Sequence, residues 1–151
     1  MCEMTDEEIY RKYAHELLRF ASGLVGPDDA HDVVADACLR SFSSRRWSLI
    51  ENRRAYLYRA VSNEARMKYR SAMRRRIRER KVAPAESIWQ PTVDLDVLDA
   101  VSRLSVRQRA VVFLTYWEDL RDTEIAALLD ISPGAVRRHL ARGRARLKEA
   151  L

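Results

Sequence analysis

The segment EIAALLDISPGAVRRHL, residues 124–140, decides the reading of this chain. Two helical apolar patterns meet at the break Asp130-Ile131-Ser132-Pro133-Gly134. The pattern before the break is nearly neutral; the one after it runs on into ARGRARLKEAL and carries arginine after arginine. Ser132 has the side chain of a helix cap, and Pro133 suits a first helical position, where no N–H is needed. Ala126 is the small residue that lets two helices approach closely. Ile131, Val136 and Leu140 can fill the angle between them. The segment therefore predicts a helix-turn-helix whose second helix offers a basic face, and a polyanion explains such a face.

The rest of the chain agrees with that partner. A net charge of +6 over 151 residues with 47% hydrophobic residues describes a globular protein with a basic excess. The excess is clustered, at Arg66–Lys81 and Arg137–Lys148, and clustered basic residues on helices point to nucleic acid. Cys2 and Cys38 are far apart, and neither has a Cys or His at metal-ligand spacing, so neither a metal nor another cofactor is expected. The three histidines are scattered, and no Ser/His/Asp, Cys/His or carboxylate constellation suggests catalysis. MCEMTDEEIY is acidic and without an apolar core, unlike a signal peptide. No apolar run approaches the roughly 18–20 residues of a membrane span, so no membrane insertion is expected and a reduced, cytoplasmic protein fits.

Upstream, the periodicity is helical throughout, and the fold class is all-α. Thr5-Asp6-Glu7-Glu8 has capping-box spacing, followed by Ile9, Tyr13, Leu17, Phe20 and Leu24 at helical intervals. Gly26-Pro27 stops that helix, and Asp28 or Asp29 can cap the next. That helix turns Val33, Val34, Ala37, Cys38 and Ser41 inward and Asp29, Asp32, Asp36 and Arg40 outward. A loop over 43–52 precedes a long helix beginning near Arg53, with Leu57, Val61, Ala65, Tyr69, Met73 and Ile77 in one stripe. VAPAESIWQPTV, residues 82–93, holds Pro84 and Pro91 and reads as a flexible interdomain linker. Beyond it, Leu95, Leu98, Val101 and Leu104 mark a short helix. Ser105–Gln108 is a second capping box, leading into Val111, Val112, Leu114 and Tyr116. The expectation is two small helical domains, 1–81 and 94–151, joined by the linker 82–93. Four residues follow Leu147, so no further C-terminal domain is expected.

The second half, RLSVRQRAVVFLTYWEDLRDTEIAALLDISPGAVRRHLARGRARL, resembles the C-terminal DNA-binding domain, region 4, of bacterial sigma factors, above all the extracytoplasmic-function group. Leu104, Arg109, Tyr116-Trp117-Glu118, Glu124-Ile125-Ala126, Ser132, Gly134, Val136, Leu140 and Arg142 match that group's pattern. DAHDVVADACLRSF (29–42) and RAYLYRAVSNEARMKYRSAMRRR (54–76) resemble its region 2. The chain departs from the pattern at His31, Ala35, Cys38 and Met67. In the second half it departs at Ala135, Arg138 and His139, and at Asp130, where the family commonly has a turn glycine.

The resemblance implies a sigma factor: a non-enzymatic protein that binds core RNA polymerase and directs it to promoters. Region 2 would meet the clamp helices of the beta-prime subunit through Asp29, Asp32, Asp36 and Arg40, which lie on one helical stripe. It would read the minus-ten element with Trp47, Asn52, Tyr56 and Asn63, and hold phosphates with Arg66, Lys68, Arg70 and Arg74. Region 4 would meet the beta flap and read the minus-thirty-five element through Ser132, Pro133, Gly134, Arg137, Arg138, Arg142 and Arg144. Arg137 and Arg138 are placed for base edges, Arg142 and Arg144 for phosphates. An anti-sigma factor is a further implied partner. A helix-turn-helix regulator working without polymerase would lack the region 2 pattern. A decoy for an anti-sigma factor could lose the DNA-reading arginines that this chain keeps.

Overall fold

The computed structural model describes residues 4–78 and 100–150. The linker expected at 82–93 and most of the short helix expected before Leu104 lie outside the described residues. What is described is helical, with no strand among the described residues, and forms two helical parts in line with the expected fold class.

The first part has three helices: α1 (Asp6–Val25), α2 (Pro27–Ser43) and α3 (Arg53–Arg78). Thr5 and Glu8 form the expected capping box, with Glu8 N donating to Thr5 Oγ1 at 3.2 Å and Thr5 N to Glu8 Oε2 at 3.0 Å. Asp6, Glu7 and Glu8 add negative charge where the helix dipole favours it. Gly26, at φ 88°, ends α1 and serves as the N-cap of α2. Neither Asp28 nor Asp29 caps α2: Pro27 already occupies its first turn, and the two carboxylates lie within that turn. Asn52 caps α3, its Oδ1 accepting from Ala55 N at 3.1 Å. Leu17, Phe20 and Leu24 of α1, Val33, Val34 and Ala37 of α2, and Leu57, Val61 and Ala65 of α3 meet in one fully buried core. Tyr58 is buried with its ring 4.9 Å from that of Phe20, and its hydroxyl donates to Glu16 Oε2 at 3.1 Å. Arg54 grips both oxygens of the same carboxylate, at 2.9 and 3.0 Å. Cys38 is a free thiol, and burial pushes its pKa up to about 11.

The second part has α4 (Val106–Tyr116), α5 (Asp122–Leu129) and α6 (Pro133–Ala150). Ser105 and Gln108 form the second capping box. Ala110, Val111, Leu114, Ile125, Leu128 and Val136 are among its buried residues, and they join the same core as the first part. Tyr116, expected on the apolar face, is 52% exposed, at the last residue of α4.

The two parts pack on each other. Phe113 of α4 lies over Gly23 of α1, where an added Cβ would stand only 2.6 Å from Phe113 Cδ2. Its ring centroid is 6.1 Å from that of Phe20. Arg109 donates from Nη1 to the carbonyl of Leu24, at the carbonyl-rich end of α1, with its guanidinium 5.2 Å from the ring of Tyr69. Burial lowers the Arg109 pKa, as expected of a charge removed from water. Arg19 and Glu118 pair at 3.3 Å, and Arg59 and Asp130 pair at 3.3 Å. Among the described residues no helix is long and apolar enough to cross a membrane.

Candidate nucleic-acid and polymerase interfaces

α5 and α6 form the expected helix-turn-helix. Asp130 takes a left-handed conformation, φ 57° and ψ 46°, and Ile131 N donates back to Ala126 O at 3.1 Å. Asp is among the few non-glycine residues that adopt this geometry readily. Ser132 Oγ accepts from Ala135 N at 3.1 Å, capping α6, and Pro133 is its first residue. Ala126 and Val136 are buried at the crossing, with Ile131 and Leu140 packed beside them. A Cβ on Gly134 would meet nothing nearer than 3.9 Å, so the backbone there is open to close approach.

The arginines of α6 are exposed but not idle. Arg137 Nη1 donates to Asp122 Oδ2 at 2.9 Å. That bond, then the Thr123 N–H, holds the Asp122 carboxyl below its ordinary pKa. Arg144 Nε donates to the Tyr116 hydroxyl. Arg138 and Arg142 flank His139, whose pKa falls below its usual value, first through burial and then through Arg107, Arg142 and Arg138. Arg146 donates to Arg103 O at 3.1 Å and Gln108 Oε1 at 3.3 Å. It joins α6 to the start of α4.

The candidates of the first part divide into two kinds. Trp47 sits in a 3-10 turn, Trp47–Leu49, and is 5% exposed. Its Nε1 donates to Asp6 Oδ1 at 2.9 Å, and its ring packs against Phe42 and Tyr56, with the Arg53 guanidinium 5.1 Å from its centre. The buried indole, its N–H taken by Asp6, ties the loop to the start of α1. Asn52 is occupied as the cap of α3. The exposed apolar residue of that loop is Leu49, which periodicity did not single out.

Tyr56 and Asn63, by contrast, lie on one groove of about 560 Å³ between α2 and α3, together with Arg40, Arg59, Glu64 and Asp130. Farther along α3, Arg66 is half-buried while Arg70 and Arg74 are exposed. The Arg66 pKa is lowered by burial and then by Arg107 and Arg70, so positive charge converges there from both parts of the molecule. A polyanion would relieve that repulsion.

On α2, Asp29, Asp32, Asp36 and Arg40 are all exposed along one stripe. Lys68 of α3 bridges Asp29 at 3.5 Å and Asp32 at 3.6 Å, and Arg40 Nε pairs with Glu64 Oε1 at 3.0 Å. The polymerase-facing and minus-ten candidates thus adjoin. Leu39, 64% exposed amid those charges, is an apolar centre the charge pattern alone did not reveal. Among the described residues, no group of three or more His, Cys, Asp or Glu side chains is placed to hold a metal ion.

Residues 9–75 match the family model described as Sigma-70 region 2, and residues 94–147 match that described as Sigma-70, region 4. The chain is 35% identical over 152 residues to an RNA polymerase sigma-E factor of Streptomyces antibioticus, covering 96% of this chain and 83% of that protein. It is 34% identical to the sigma-E factor of Streptomyces coelicolor, covering 96% and 85%. In fold it is similar to the sigma factor RpoE of Bartonella quintana, solved in complex with the anti-sigma factor NepR. The TM-score is 0.63 at 24% identity, over 95% of this chain and 94% of that one. A helix-turn-helix with a basic second helix, the ordered pair of regions and relatives similar over nearly the whole chain lead to one conclusion: the chain belongs to the sigma-70 family as an extracytoplasmic-function-type sigma factor, a non-enzymatic protein that works with core RNA polymerase in promoter-specific transcription.

Proposed function

We propose that α6 reads the minus-thirty-five element and that α3, with the groove beside it, engages the minus-ten element. The observation that carries this reading is the order of exposed arginines on α6. Arg137 and Arg138 lie in its first turns, beside an open backbone at Gly134, where a recognition helix meets base edges. Arg142 and Arg144 follow, where a helix leaving the groove meets phosphates. Ser132 and Pro133 set the start of that helix. Tyr56 and Asn63 are the groove's base-facing groups, and Arg66, Lys68, Arg70 and Arg74 its phosphate contacts. Trp47 and Asn52 act by fixing the loop and the start of α3.

The stripe of Asp29, Asp32, Asp36 and Arg40 docks the clamp helices of the beta-prime subunit, and the second part meets the beta flap. The similar sigma factor of Bartonella quintana is bound by an anti-sigma factor, which supports a protein of that kind as a further partner here. Cytoplasmic residence follows from work with polymerase. Residues 1–81 and 94–151 act as the two functional units, with 82–93 as the link. The test is transcription in vitro with core polymerase on a genomic promoter library, with transcript starts sequenced. A shared pair of upstream elements supports the reading, and starts without any common element contradict it.

A further inference from the structure

We infer that Arg59 is a phosphate-binding residue for single-stranded DNA, and that Asp130 occupies it in the free protein as a built-in stand-in for that phosphate. This rests on the minus-ten reading of α3 proposed above. Arg59 stands three residues after Tyr56 and four before Asn63, which places all three on one face of α3, at the same groove. A ring, an amide and a guanidinium are what a nucleotide lifted from its stack needs: a surface to stack on, a partner for base edges and a cation for the backbone. The guanidinium is oriented by its own helix, with Nε donating to Ala55 O at 3.4 Å, and remains about one-third exposed.

What faces it comes from the other half of the molecule. Asp130 Oδ2 lies 3.3 Å from Arg59 Nη1, while the Asp130 side chain is otherwise 76% exposed. The aspartate sits in the turn of the helix-turn-helix, at a left-handed backbone position. Glycine would adopt that backbone more easily, so the turn itself does not call for an aspartate. The carboxylate touches the rim of the α2–α3 groove and of a second cavity of about 200 Å³, which lies between the halves and also holds Asn63, Arg107 and Ile131. An anion seated on an arginine at the mouth of that groove has the charge and position of a backbone phosphate. DNA entering the groove must displace it.

Displacement also agrees with the geometry of a promoter. Elements about 25 base pairs apart are separated by about 85 Å at about 3.4 Å per pair. A compact chain of this length has a radius of gyration of about 15 Å. The second part must leave the first for both elements to be read at once, and the Arg59–Asp130 pair is broken by the same movement.

The test is a double-mutant cycle read by fluorescence anisotropy, using the full chain, low salt and a labelled 12-nucleotide single-stranded DNA pool of random sequence. Asp130→Gly relieves the turn, so its fold is secure, and it should tighten binding roughly two- to fivefold, the range expected for an exposed ion pair. Arg59→Gln should weaken binding, and adding Asp130→Gly to it should then give no gain. A gain that persists without Arg59 would show a general charge effect and overturn the inference. So would unchanged or undetectable binding by the Asp130→Gly chain. Transcription with core polymerase is a separate readout: promoter-specific transcription by the wild-type chain without this coupling overturns the Arg59 assignment alone, leaving the sigma reading standing.

Discussion

Arg137 and Asp122 are paired across the helix-turn-helix, Nη1 to Oδ2 at 2.9 Å, so the first arginine of α6 is held by the first residue of α5. The pair orients the guanidinium, and in the reading proposed above its carboxylate also competes with DNA for it. Asp122→Asn should therefore leave the fold unchanged and tighten binding to a minus-thirty-five duplex roughly two- to fivefold at low salt, an effect that fades as salt rises. Anisotropy titrations at two salt concentrations check this; weaker binding by the variant would show that orientation outweighs competition.

Trp47 gives a prediction about stability. Trp47→Phe keeps most of the packing but loses the N–H bond to the Asp6 carboxylate, at a cost of about 1–2 kcal/mol. Trp47→Ala also empties the pocket between Phe42 and Tyr56 and should cost about 3–5 kcal/mol. Urea unfolding measures both. If Trp47→Phe is as stable as wild type yet fails to open promoters, the indole acts on DNA and not on the loop.

These two residues show where sequence reading reaches and where it stops. The capping boxes at Thr5 and Ser105, the start of α6 at Ser132-Pro133, the inward face of α2 and the Leu57, Val61 and Ala65 part of the α3 stripe follow from local chemistry and the helical period, and the structure has them as expected, whereas Tyr69, farther along that stripe, is exposed. Trp47 was legible as a loop aromatic, but the partner of its N–H is Asp6, forty-one residues away. The Asp130–Arg59 pair and the insertion of Arg109 at the end of α1 are likewise contacts between elements far apart in sequence. Periodicity within one helix carries no information about them. The asymmetry at α2 has a similar origin: Asp28 and Asp29 are both sound caps, but the Gly26-Pro27 turn had already fixed where the helix starts.

The acidic stripe on α2 is exposed and held mainly by Lys68, so reversing its charge should disturb docking and not folding. Asp32→Arg combined with Asp36→Arg should abolish binding to core polymerase, with an unchanged helical circular dichroism spectrum. Binding and transcription at the wild-type level would reduce these carboxylates to a solvated surface.

His139 provides a pH dependence. Burial and three arginines lower its folded-state pKa below the ordinary value of about 6.5. Between those two values the unfolded chain binds the proton and the folded chain does not, so stability falls as pH drops through that window. His139→Gln should flatten this part of the profile, as thermal unfolding at a series of pH values would show. Phosphates near α6 oppose the arginine field, so the His139 pKa should rise when a minus-thirty-five duplex is bound, observed by NMR titration of the imidazole.

In the proposed reading, α6 recognises sequence through Arg137 and Arg138, while Arg142 and Arg144 supply charge. This is tested most directly by transcription with reconstituted polymerase from a promoter library randomised only in the minus-thirty-five element. Arg137→Ala and Arg138→Ala should each reorder the preferred elements, since a bidentate base contact is worth about 1–3 kcal/mol of discrimination. Arg142→Ala and Arg144→Ala should lower output from all promoters alike, keep the ranking and flatten the salt dependence. A uniform loss in all four variants with the ranking unchanged would contradict the account and leave specificity to DNA shape or to the minus-ten contacts.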